Sequence, residues 1–414
     1  MTNEKHYIGL DVHKKSIQFC AKTADGTIVE EGRIAATRQA LQQWVAKRPR
    51  PWNAAMEATM FSAWIYDELK PHAAQLKMAH PAMLKAISAA KHSSDPLDAR
   101  KISDLVRMDW IPGVWVAPPE IRELRLHLRF RNLVVRQSTQ VKNRISSTLM
   151  ENGVVYSKEK LHQKKYFHEL LEVLDEVPES VRQLLRRSRG TLDLFQSTQR
   201  TLLEQLSRDR RLAARVALLQ TIPSVGVVTA LTWALEIGDP WRFSSVDHAV
   251  SYCGLVSARQ QSGEKEYRQP LSKKRNGNLQ TILIEAAHLA PRYSPLLRQL
   301  YDKVKQEEHA GAAALAVARK LVAYLLAVDK SKKPFQVREP STAQSSPTGK
   351  SASPSAPPVE GSAVAQRSSP SRVRVAAPKA GAPLTSAGRC AQSGVATGGS
   401  DGKVRRYKQI PKPA

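Results

Sequence analysis

Residues 7–35, YIGLDVHKKSIQFCAKTADGTIVEEGRIA, decide the fold of the N-terminal part. Residues 7–12 are an apolar, strand-forming run, 16–22 repeat it, and Asp25-Gly26 supplies a hairpin turn before a third run over 27–34. A helical pattern follows at 36–46, then a short strand at 52–56, a helix at 62–69, a strand at 76–78 and a helix at 97–108. Strands alternating with helices predict an α/β domain over residues 1–115.

The acids of this domain are its chemistry-bearing residues. In a strand, Tyr7, Gly9, Asp11 and His13 share one face and Ile8, Leu10 and Val12 the other. A carboxylate in mid-strand is costly unless it is paired, metal-bound or on an exposed face. Glu57, in AAMEAT, follows the strand at 52–56, and a strand end is where α/β folds display catalytic side chains. A first-turn helix acid favoured by the helix dipole is its other role. Asp95 and Asp98 stand in SDPLDAR. Asp95-Pro96 fits an N-cap followed by the first helical residue, whereas Asp98, three residues on, shares a helix face with it. Four acids from two strands and a helix start would make an oxygen-rich site for Mg²⁺ or Mn²⁺. Two such ions can position a nucleophile and stabilise a leaving oxygen on phosphate.

Residues 120–151 contain no Pro or Gly, and Ile121, Leu124, Leu128, Val135, Ile145 and Leu149 fall near heptad spacing. Arg122, Arg125, Arg129, Arg131, Arg136, Lys142 and Arg144 decorate this helix, as a solvated face or as a nucleic-acid face. A second helix, 181–206, carries Val181, Leu185, Leu192, Phe195, Leu202 and Leu206 on one stripe. Together they predict a long helical hairpin connecting the domains over 116–215. A compact, mainly α domain is expected over 216–330, ending in the regular helix 312–327. From 331 to 414, Pro, Ser, Ala and Gly dominate and predict a disordered basic tail.

The chain has 414 residues with 64 Lys and Arg against 37 Asp and Glu, a formal net charge of +27. That charge suits a polyanionic partner, double-stranded DNA or RNA, without specifying a sequence. Cys20, Cys253 and Cys390 are too scattered for a zinc cluster or a disulfide framework. The start, MTNEKHYIGLDVHKK, has no long apolar segment, and no stretch was expected to span a membrane, so a cytoplasmic location is expected. Gly-x-Asp in a first strand also opens sugar-kinase and actin-like ATPases. Those need glycine-rich phosphate loops downstream, and none follows.

The strings YIGLDVHKKS, AAMEAT and SSDPLDARKI, in this order and spacing, resemble the N-terminal domain of the IS-one-ten family of transposases, which is related to the pilin-gene invertase. LLQTIPSVGVVTALTWALEIGD, SYCGLVSARQQSGEK and LSKKRNGNLQTILIEAAHLAPRYSP are similar to that family's C-terminal domain, and the resemblance covers roughly residues 5–330. It implies a RuvC/ribonuclease-H-like N-terminal fold in which Asp11, Glu57, Asp95 and Asp98 hold Mg²⁺ or Mn²⁺. By motif position it implies a nucleophilic serine at Ser262, with Ser257 and Ser272 as competitors. Lys265, Lys273, Lys274 and Arg275 would then contact backbone phosphates, and the turn at Ile222–Gly226 looks like the start of a helix-hairpin-helix. The implied partners are DNA at the element's ends and at its target, a structured non-coding bridge RNA, and further copies of the chain as a dimer or tetramer. Met60, Ser93-Ser94 and the residues flanking Gly263 depart from the family's usual pattern but leave the acids and the serine in place. A RuvC-type nuclease working with water alone, and a nucleic-acid-binding protein without catalysis, are the competing functions.

Overall fold

The computed structural model describes residues 5–48, 50–87, 94–262, 265–273 and 275–336. Gly263, Glu264, Lys274 and, of the expected tail, residues 337–414 lie outside them. The chain opens as a meander of β1 (His6–Val12), β2 (Ser16–Lys22) and β3 (Ile28–Ala35), followed by α1 (Arg38–Ala46). Then come β4 (Trp52–Glu57), α2 (Ser62–Leu69), β5 (Gln75–Ala79), α3 (Pro81–Ile87), α4 (Asp95–Arg107) and the short β6 (Gly113–Val114). They form one six-stranded sheet in the order β3-β2-β1-β4-β5-β6. The meander is antiparallel, β4 and β5 run parallel to β1, and β6 returns antiparallel at the edge.

The period-2 pattern separates two cores. Ile8, Leu10 and Val12 join Ile17, Phe19, Trp52 and Met56 beneath Leu41 and Trp44 of α1 and Ile65 and Leu69 of α2. On the other face Ala55 and Ala79 meet Ile102, Leu105 and Val106 of α4. Gly9 sits where α4 crosses β1. A Cβ at Gly9 would lie 2.0 Å from the Ala99 carbonyl oxygen and 2.4 Å from the Ser103 nitrogen, so the two backbones touch because this residue has no side chain. The Ser103 hydroxyl fixes the contact by donating to the Tyr7 carbonyl oxygen at 2.8 Å.

The remainder is mainly helical: α5 (Pro119–Glu151), α6 (Lys164–Glu172), α7 (Glu179–Arg208), α8 (Arg210–Leu219), α9 (Val227–Ile237) and α10 (Val246–Tyr252). A hairpin of β7 (Ser257–Ser262) and β8 (Lys265–Leu271) precedes α11 (Gly277–Tyr293), α12 (Pro295–Glu307) and α13 (Ala310–Ser331). Helices α5 and α7 pack along each other. Ile145, Leu149, Leu185 and Leu192 close around Phe167 of α6, and Gln199 Nε2 donates to Ser138 Oγ at 2.7 Å. The heptad reading drifts by one residue at mid-helix, where Val134 rather than Val135 is buried. An unstrained helix advances 3.6 residues per turn, not 3.5.

Leu231, Trp233 and Leu235 of α9, Leu279 and Leu283 of α11, and Val317, Leu321 and Leu325 of α13 form the helical core. The expectation that no stretch reaches membrane-spanning length needs correction. Helix α13 has 22 residues and a window of mean hydropathy 1.7, enough by length and composition. Here its apolar face is the centre of a protein core, and Asp329 in its last turn is fully buried. That carboxylate is gripped by Arg215 at 2.8 and 2.6 Å and accepts from Trp233 Nε1 at 3.0 Å. The chain remains packed beyond α13. Phe335 packs tilted against Tyr324, ring centroids 4.7 Å apart, and its N–H donates to Thr221 Oγ1.

Candidate metal centre and nucleic-acid interface

Asp11 lies one residue before the end of β1 and is 9 % exposed. The parallel neighbour β4 ends at Glu57, where the chain leaves the sheet, so both acids stand at the same sheet edge. Contact of α4 with Gly9 brings the start of that helix over this edge. Ser94, not Asp95, occupies the N-cap position, and Asp95 and Asp98 lie in the first turn. The Asp95 side chain is therefore not the cap that its Pro neighbour suggested. It lies 3.4 Å from His13 Nε2, which also contacts Asp11 Oδ2 at 3.0 Å. Asp11, His13 and Asp95 each offer a ligand atom within 4.8 Å of the others. Asp98 is paired with Lys101 at 3.0 Å.

Electrostatics tie in the fourth acid. Burial raises the Asp11 carboxyl above its ordinary value. His13 lowers it by charge and hydrogen bond, and the negative charges of Asp95 and Asp98 raise it further. Glu57 is raised by burial, then by the charges of Asp11 and Asp98, with His13 opposing. Two carboxyls raised by burial and by neighbouring acids, with one imidazole among them, are a donor set that a divalent cation would relieve. The oxygens suit Mg²⁺, and His13 extends the set towards Mn²⁺. His13 went unremarked as a ligand in the sequence, although the i, i+2 spacing that puts it on the face of Asp11 was visible.

Gly9 holds this site together, and Gly9→Ala is expected to force α4 off β1. Overpacking against a backbone costs about 1–3 kcal/mol or more. A thermal melt reads that loss. The accompanying loss of any Mn²⁺-induced rise in Tm reads the displacement of Asp95 and Asp98 from Asp11.

Ser262 lies elsewhere. It ends β7, opposite Lys265 across the hairpin, in a two-stranded sheet separate from the one that carries the acids. Ser257 begins the same strand, and Ser272 follows β8, its N–H donating to the Val256 carbonyl oxygen. Ser262 thus stands at the end of a hairpin strand. Of the basic residues, Arg144 is exposed and 3.8 Å from Glu151, Lys142 is half-buried, and Arg136, Lys273 and Arg275 are exposed. Lys265 begins β8.

Arg125 and the more exposed Arg129 are both tied to α9. Arg125 donates to the carbonyl oxygens of Leu235 and Glu236 at 2.6 and 3.1 Å, and Arg129 makes a bidentate pair, both contacts 2.9 Å, with the buried carboxylate of Glu236. Asn276 and Asn278 donate to the same carboxylate at 2.9 and 3.0 Å. Burial pushes the Glu236 carboxyl up, but the hydrogen bonds of Arg129 and Asn276 and the charges of Arg129 and Arg125 outweigh it and hold it below its usual range. Nothing in the sequence marks this partner, a single acid in an apolar helix.

Two family models match the chain. One, described as a transposase and of the DEDD type of IS110 elements, covers residues 8–152, and the other, described as the transposase IS116/IS110/IS902 family, covers residues 216–302. The transposase for insertion sequence element IS1328 of Yersinia enterocolitica is 25 % identical over 330 residues, which are 76 % of this chain and 93 % of that one. The transposase for IS1111A of Coxiella burnetii is 23 % identical over 310 residues, 72 % of this chain and 80 % of the relative. The pilin gene-inverting protein of Moraxella bovis is 28 % identical over 130 residues, 30 % of this chain and 39 % of that protein. The acid-bearing α/β domain and the basic helical body are thus the two parts of a transposase, an enzyme acting on DNA. The chain belongs to the IS110 family of transposases.

Proposed function

We propose that this transposase cuts and rejoins DNA to excise and insert its own element, using Asp11, Glu57, Asp95 and Asp98 as a metal centre and Ser262 as nucleophile. The observation that carries the reading is the convergence of Asp11, His13 and Asp95 within ligand distance, with Asp98 acting by charge on Asp11, and Asp11 and Asp98 on Glu57. The antiparallel meander followed by two parallel strands supports a RuvC/ribonuclease-H-like domain. Bound Mg²⁺ or Mn²⁺ would supply Lewis-acid stabilisation of the scissile phosphate. The chain's own residues do the rest. The four carboxylates position that charge, and His13 orients Asp11 and Asp95 through its Nε2 contacts. The bond from Ser262 Oγ to phosphorus forms as the bond from phosphorus to the departing sugar oxygen breaks, and the hydroxyl proton ends on that oxygen. One phosphodiester replaces another, so rejoining needs no ATP.

Ser262 reaches the acids by convergence, within the chain or between copies. Leu126, Phe130 and Leu133 form an exposed apolar stripe on α5 that supports assembly into a dimer or tetramer through the helical hairpin. The net charge of +27 accommodates an element-encoded guide RNA alongside DNA.

Under cleaving conditions the wild-type chain is expected to form a covalent DNA adduct on Ser262, located by peptide mass spectrometry, and Ser262→Ala to form none. An adduct on Ser257 or Ser272 moves the nucleophile but keeps the chemistry. Cleavage without any adduct makes the protein a water-dependent nuclease instead.

A further inference from the structure

We propose that a cavity between α5 and the start of α11 binds a single backbone phosphate of DNA. The inference rests on the DNA substrate of the reading above. The cavity, about 410 Å³, is lined by Arg129, Arg136, Arg275, Asn276, Gly277 and Asn278, with no carboxylate among these residues. Their cations are not equivalent. Arg129 is neutralised by Glu236. Arg275 donates Nη1 only to a neutral acceptor, the Ser272 carbonyl oxygen, at 2.8 Å. Arg136 is exposed and makes no ion pair among the described residues. Two positive charges therefore face the cavity uncompensated.

The backbone adds a directed donor. Asn276 caps α11: its Oδ1 accepts from the N–H groups of Asn278 at 3.1 Å and Leu279 at 3.2 Å, and its carbonyl oxygen accepts from Gln280. In the first turn this leaves the Gly277 N–H without an acceptor among the described residues. A Cβ at Gly277 would meet nothing within 4 Å, so the approach to that N–H is open. An adjoining cavity of about 650 Å³ shares Arg136, Gly277 and Asn278 and adds Arg131, whose buried Nε has no acceptor, together with the carboxylate of Glu285, whose charge acts on Arg131.

A phosphodiester has one negative charge and two unbridged oxygens. It suits a backbone N–H on one side and a guanidinium on the other. The Glu236 network ties Arg129 of α5 to Asn276 and Asn278 of α11, so the two walls are set before a ligand arrives. The site lies on the helical body, on elements separate from the acid-bearing sheet, and its role is to position the duplex.

The test measures binding of the full chain to a labelled duplex of random sequence across a salt series. Arg136→Ala is expected to weaken binding about tenfold and to reduce the slope of log K against log salt by about 1. Gly277→Pro removes only the N–H. Proline is at home in the first helical position, and Asn276, at φ −82° and ψ 100°, already has the extended backbone a residue before proline needs. It should weaken binding about fivefold with the slope unchanged, while Gly277→Ala, which keeps the N–H, binds as wild type. Melting curves confirm that each variant folds, and if Gly277→Pro does not, the slope of Arg136→Ala decides. Wild-type affinity and slope in every variant overturn the site alone. Failure of the unaltered chain to bind duplex overturns the site and the DNA reading together. A defect confined to a structured RNA hairpin overturns the assignment to DNA.

Discussion

Asp11→Asn is expected to abolish strand cleavage while raising rather than lowering stability in metal-free buffer. The carboxylate is buried and stands among Asp95, Asp98 and Glu57, so its charge is unwelcome unless a cation is present. Asparagine keeps the shape, removes one of the mutually repelling charges and still offers His13 an acceptor. Loss of a ligand from such a centre forfeits several kcal/mol of charge stabilisation, about a thousandfold or more in rate. Adding Mn²⁺ should raise the Tm of the unaltered protein and leave that of Asp11→Asn unmoved. Cleavage at the normal rate by the variant, with Mg²⁺ present, would remove Asp11 from the catalytic set.

Glu236→Ala should produce the largest loss of stability. It strips the buried partner from a bidentate guanidinium and from two part-buried asparagine amides. Breaking a fully buried pair by deleting one member costs about 3–5 kcal/mol; with the Arg129 side chain 52 % exposed, solvent screens part of this, and a fall in Tm of about 5 °C is expected. Glu236→Gln, which retains an acceptor for Asn278, should lose less. The network also has a pH signature. Because the Glu236 carboxyl is held below its usual range, its stabilisation is complete above the ordinary carboxylate value. It is lost as pH falls through the lowered one. Acid melts of wild type and Glu236→Gln, compared across that window, should converge.

Local pattern made the N-terminal domain legible. Apolar alternation located β1, β2 and β4, and the Asp25-Gly26 turn, with Gly26 at φ +97°, joined β2 to β3. The absence of Pro and Gly marked α5, and the apolar stripe marked α7. What escaped depended on partners distant in sequence. Nothing local distinguishes Arg129, which meets Glu236 across 107 positions, from Arg136, which meets no acid among the described residues. The preference of Pro96 for a helix start was legible, but which of Ser94 and Asp95 caps it depends on where β1 holds the helix. The hairpin of β7 and β8 leaves no mark in the sequence, because its strands are polar, SARQQS and KEYRQPL, and lack the apolar alternation that betrays a half-buried strand. The acids could be grouped from their motif order, whereas the addition of His13 needed the tertiary approach of α4.

Helix α5 carries a mechanical consequence. Its Arg122 is bonded to Asp67 of α2 and to the Ala117 carbonyl oxygen, and one and two turns later Arg125 and Arg129 are bonded to α9. Both domains thus clamp the same short length of a rod that extends roughly 50 Å over its 33 residues. Torsion between them would have to tear guanidinium pairs from both sides at once, so the rod works as an axle keyed to two wheels. Rotation of the acid-bearing domain against the helical body is resisted at this length of the rod, so the two would turn as a single piece.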